Sequence, residues 1–90
     1  MVFGYSTRSV AEICSAYAQL MLEGSALEAC KREGSPFISS EAGRELIIEI
    51  EDKVRRALEG YRSIVPRGVQ KIFERRVSEI EKAVNEPLGR

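Results

Sequence analysis

A chain of 90 residues with no net charge, 43% hydrophobic and 31% charged, has the balance of one folded domain and not of a disordered segment. Surface scaling for 10.1 kDa gives roughly 5,300 Å² exposed and about 64% of the unfolded surface buried, enough for a core without disulfide or metal. The lack of any histidine excludes a Ser–His–Asp triad, a histidine phosphorelay and a histidine-ligated metal within the chain, and no apolar run approaches the ~20 residues that cross a bilayer.

The start, Met1-Val2-Phe3-Gly4-Tyr5, has no basic stretch leading into an apolar one, so no secretory signal is expected and the chain is read as cytoplasmic. From there Val10, Ile13, Tyr17, Leu20, Gly24 and Leu27 recur at alternating spacings of three and four, the stripe of an amphipathic helix. Ser9 with Glu12 forms a capping-box pattern at its head, and Gly34 is a natural stop. Gly24 precedes a second capping-box pattern, Ser25 to Glu28, which would divide the helix. The apolar phase nevertheless continues through it, and an internal glycine costs only about 1 kcal/mol, so one kinked helix is predicted. On one helix Cys14 and Cys30 lie about 24 Å apart, too far for a disulfide, and both are expected as small apolar residues beside the core.

Gly34-Ser35-Pro36-Phe37-Ile38 reads as a turn whose two apolar residues plug one end of the core. Ser39 or Ser40 caps a second helix, with Gly43, Ile47, Ile50, Val54, Ala57 and Tyr61 in its stripe and Leu46 and Leu58 widening it. Gly60 is its predicted stop, with Tyr61 folding back over the end. Glu49–Lys53, Glu51–Arg55 and Asp52–Arg56 are acid-before-base pairs at i,i+4 and mark a solvated face. Pro66 suits the first turn of a third helix, whose apolar face is Val69, Ile72, Phe73, Val77, Ile80 and Val84 and which Asn85 and Pro87 end. The fold class predicted is all-α: an antiparallel three-helix bundle over residues 1–90, or four helices if the first breaks at Gly24.

No motif supplies catalysis. The sequence contains no glycine-rich phosphate loop, nucleophile elbow, CxxC or Glu-x-x-His pattern, so catalytic residues, bound metal and cofactor are all expected to be absent. Charge is nonetheless unevenly placed. Residues 1–52 hold four basic and nine acidic groups, net −5, whereas residues 53–76 hold eight basic and two acidic, net +6. Arg55, Arg56 and Arg62 suit the end of the second helix, where the macrodipole favours cations. Arg67 and Lys71 open the third helix, where it opposes them, and with Arg75 they form an i, i+4, i+8 stripe. These six compose a candidate anion- or partner-binding surface, and the nucleic-acid alternative extends it to Arg76. Met21, Leu22 and Ile48 fall outside the core stripes and are candidates for an interface between copies. The function expected is a non-catalytic, self-associating interaction module that docks an acidic protein at its basic end. A small nucleic-acid-binding protein using the same residues is the alternative, although a pI near 6.3 and the lack of interleaved aromatics fall short of that footprint.

Overall fold

The computed structural model describes residues 7–88, and among these every regular element is a helix. There are five: α1 (Thr7–Lys31), α2 (Pro36–Ser39), α3 (Glu41–Ile64), α4 (Arg67–Ile72) and α5 (Glu74–Asn85). α1, α3 and α5 form an up-down-up bundle. Lys31 meets Glu51 and Tyr17 meets Tyr61, so α1 and α3 are antiparallel; Tyr17 meets Phe73 and Lys31 meets Ala83, so α1 and α5 are parallel. The three-helix form of the prediction is therefore the one adopted. It is drawn out to 54 × 21 × 14 Å, with a radius of gyration of 15.2 Å against roughly 12 Å for a compact chain this long. Its exposed surface, 6244 Å², accordingly exceeds the roughly 5,300 Å² of the scaling estimate.

Thr7 is already helical, so the Ser9–Glu12 pattern lies inside α1 and does not start it. The helix runs through Gly24 without a break. A Cβ there would lie 2.6 Å from Ile80 Cδ1 and 2.7 Å from its Cγ1 and Cγ2, so the glycine is the notch that lets α5 approach α1. Gly34 ends this stretch at φ +86°, a conformation that side chains rarely adopt. The predicted turn after it contains a helical turn of its own, α2, with the Ser35 hydroxyl accepting from Phe37 N–H at 3.1 Å. Ile38 packs against the core as expected, whereas Phe37 is exposed and plugs nothing. The Ser40 hydroxyl accepts from Gly43 N–H at 3.0 Å and caps α3.

α3 passes Gly60 and ends at Ile64, so the predicted stop is corrected by four residues. The physical stop is Pro66, which forces Val65 into extended backbone (φ −86°, ψ 127°). Tyr61 is buried inside the helix and does not fold over its end. The expected third helix is in fact two, joined at Phe73 (φ −107°, ψ 12°). Two anchors impose different directions on them. The Gln70 amide donates to the Val65 and Arg62 carbonyls at 2.8 and 3.2 Å, tying α4 to the end of α3, while Arg76 ties α5 to α1. Phe73, stacked 4.3 Å from Tyr17 between ring centroids, is the joint. One consequence is that Ile72, predicted in the core, is 72% exposed.

The core joins Leu20, Leu27 and Cys30 of α1 to Ile47, Val54, Leu58 and Tyr61 of α3 and Val77, Ile80 and Val84 of α5. Cys14, expected beside them, is exposed. Met21, expected to fall outside the core stripe, is half-buried against this core. Leu22 and Ile48 do project outward, 67% and 56% exposed. Of the predicted i,i+4 pairs Asp52–Arg56 closes at 2.8 Å, while Glu51 turns inward to Lys31.

Candidate partner-binding surfaces

The basic residues predicted to act together are divided by the fold. Arg62, in the last turn of α3, bonds Glu81 of α5 at 2.8 Å, and Arg56 is held by Asp52. Arg76 has the fullest set of partners: both Glu28 oxygens at 2.7 and 2.8 Å, Glu79 at 3.0 Å and the Ser25 hydroxyl at 3.1 Å. Its hydrogen bond holds the Glu28 carboxyl below the usual carboxylate range, and the same contact raises the guanidinium. Arg62 and Arg76 fasten helices together, whereas the Arg56–Asp52 pair lies within α3. Among the described residues, no ion pair engages Arg55, Arg67, Lys71 or Arg75.

Arg67 and Lys71, one turn apart on α4, line a shallow groove of about 340 Å³ between α4 and α5, with Arg62, Gln70, Glu74 and Glu81 among its walls. The joint at Phe73 breaks the i, i+4, i+8 stripe, leaving Arg75 on α5 outside this groove, and Arg55 also lies outside it. Tyr61 contributes to the groove. Its hydroxyl is buried with no partner among the described residues, and burial pushes its pKa up. The groove thus brings together Arg62, Arg67 and Lys71 of the six predicted residues. It offers two uncommitted cations to a carboxylate or phosphate on a surface open to water.

A larger depression of about 950 Å³ lies at the opposite end, between the ends of α1 and α5. Sequence reasoning missed the residue beneath it. Lys31 donates to the Ala83 carbonyl at 2.7 Å and the Glu86 carbonyl at 2.6 Å, and pairs with Glu51 at 2.5 Å. It caps α5 with a side chain from α1 and joins all three long helices. A lysine in the last turn of a predicted helix was the available signal, but it does not say whose carbonyls the ammonium will meet. Glu28 and Glu79 at this end are committed to Arg76. Among the described residues no group of three His, Cys, Asp or Glu could hold a metal ion, and no helix is long and apolar enough to cross a membrane.

No protein-family model matches the chain, and no curated protein or solved structure matches it either.

Proposed function

We propose that the protein is a non-catalytic helical interaction module that self-associates and docks an acidic protein partner through Arg67 and Lys71. The observation that carries this reading is the division of labour among the cations. Arg62 and Arg76 are bound by carboxylates of the same chain, whereas Arg67 and Lys71 share a groove, are exposed and are engaged by no ion pair among the described residues, and Arg67 sits at the first position of α4, where the helix dipole opposes it. For Arg67, a position that gives no folding advantage suits a cation kept for an external anion. Glu74 and Glu81 in the same groove favour a partner presenting one or two carboxylates over a nucleic acid, whose continuous phosphates would meet them. Carboxylates committed to ion pairs leave no obvious acid–base couple, which supports a role in binding and not in chemistry.

The test is a pull-down from native extract, with and without nuclease, using the wild type and an Arg67→Glu/Lys71→Glu variant. A partner that survives nuclease and is lost with the double change supports the reading. Binding that disappears with nuclease, and falls with salt at a log–log slope near −0.9 per duplex phosphate contact, assigns the groove to nucleic acid.

A further inference from the structure

The exposed face of α1 is unlike every other surface of the molecule. Between Cys14 and Ala29, over four turns and about 22 Å, the only charged residues are the half-buried Glu23, bonded to Gln19, and Glu28, bonded to Arg76, and one face carries none. Ser15, Ala18, Leu22, Ala26 and Ala29 run along this face at spacings of three and four. The outer side of α3, of similar length, carries Glu41, Glu45, Glu49, Asp52, Arg55 and Arg56. A single exposed leucine is ordinary. A helix face that carries no charge for four turns, in a chain that is 31% charged, is not, and a surface of this kind marks a contact. The inner side of α1 already holds Leu20, Gly24 and Leu27 against α3 and α5.

The ends of the molecule say what covers the other side. The C-terminal end of α1 lies beside the start of α3, where Glu41, Glu45 and Glu49 are exposed. The Tyr17 region lies beside the end of α3 and the α4–α5 joint, near Arg67, Lys71 and Arg75. The protein is therefore electrically polar along its 54 Å axis, with an uncharged flank between the two ends. We infer that the flank is covered by α1 of a second copy, the two helices antiparallel about a twofold axis near residue 20, so that the basic end of each copy lies beside the acidic end of the other. A parallel pair would set like charge against like. The small residues at 15, 18, 26 and 29 allow close approach of the helices, with Leu22 the one large side chain near the axis. The end charges select orientation, and the uncharged seam supplies the contact. This inference rests on the self-association part of the proposed function and names its surface.

Sedimentation equilibrium at micromolar concentration separates the two. The wild type is expected to dimerise, and Leu22→Glu or Ala18→Glu to raise the dissociation constant at least about tenfold, because a twofold axis counts each change twice. Both positions are exposed, so circular dichroism should be unchanged; Ile48→Glu on α3 is the control expected to leave the dimer intact. A monomeric wild type overturns self-association itself. A dimer indifferent to Leu22→Glu and Ala18→Glu overturns only the α1 surface. Orientation is read by oxidation. Within one chain Cys14 and position 26 are about 18 Å apart along α1, beyond disulfide reach, whereas antiparallel pairing sets Cys14 opposite position 26 of the other copy. Ala26→Cys should give a covalent dimer on a non-reducing gel and the wild type none. Cross-linking of wild-type Cys14, or no cross-linking in either protein, defeats the antiparallel arrangement.

Discussion

The ammonium of Lys31 lies 2.5 Å from the carboxylate of Glu51, with only 7% and 14% of the two side chains exposed. Because the same ammonium also takes two carbonyls at the end of α5, removing it orphans three acceptors at once. Lys31→Met should therefore cost about 3–5 kcal/mol, the range for breaking a buried pair from one side. Glu51→Gln, which keeps a polar acceptor beside the lysine, should cost less, about 1–2 kcal/mol. Urea denaturation with unchanged m-values measures both, and equal losses would contradict the assigned role.

Gly24→Ala is a second stability test, with opposing terms. Helix propensity favours alanine by about 1 kcal/mol. Against it, the new methyl would meet three atoms of Ile80, a fully buried β-branched side chain with no room to turn. Overpacking of this kind costs about 1–3 kcal/mol, so a net loss is expected. Combining Gly24→Ala with Ile80→Ala should cost less than the two single changes added together. Strict additivity would mean that the notch is not what the glycine provides.

Arginines of similar appearance should behave oppositely. Arg76→Ala leaves Glu28 without its bidentate partner and should lower stability by about 1.5–3 kcal/mol. Arg67→Ala and Lys71→Ala should stay within about 0.5 kcal/mol of wild type, as exposed positions do. Thermal melts of the three variants check this order directly.

Two titrations shape the dependence of stability on pH. Glu28 is held below the ordinary glutamate value of about 4.3, so its contribution is complete above that value and is lost as pH falls through the lower folded one. Glu28→Gln should lower the neutral plateau and flatten the acid limb. Tyr61 is raised, so its contribution is complete below about pH 10 and is lost as pH climbs from there toward the folded value. Tyr61→Phe should remove that alkaline limb. By deleting a buried hydroxyl with no partner among the described residues, it should also stabilise the neutral protein by about 1 kcal/mol.

Local signals carried the fold well where local physics decides it. The apolar rhythm of α1 and α3, the Ser40 cap and the positive φ of Gly34 are short-range properties, and each was legible before any coordinate. Gly60 was misleading because a glycine near a helix end resembles a stop, while the actual terminator, Pro66, acts through the residue before it. The break at Phe73 was invisible. Its apolar phase is continuous in sequence, and the bend comes from anchors reaching to Val65 and to Glu28. The candidate surface was legible to the same depth. Opposition to the helix dipole singled out Arg67 and Lys71, but α4 ends at Ile72 and puts Lys71 in its last turn, and nothing local separates either from Arg62 or Arg76, whose partners lie 19 and 48 residues away.

The fastening of α5 has a consequence for how the molecule opens. Beside the apolar contacts of Val77, Ile80 and Val84, α5 is attached to α1 by Arg76 near one end and Lys31 at the other, bridging 48 to 55 residues of sequence, whereas α1 and α3 share the longer apolar seam. Amide hydrogens of α4 and α5 should therefore exchange with solvent as one cooperative unit, ahead of those in the α1–α3 hairpin. Salt weakens the half-exposed Arg76 bridge and the exposed Arg62 bridge more than it weakens apolar contacts, so added salt should hasten exchange in α4 and α5 while leaving the middle of α3 slow. On that account the protein is a stable hairpin with an electrostatically latched third arm.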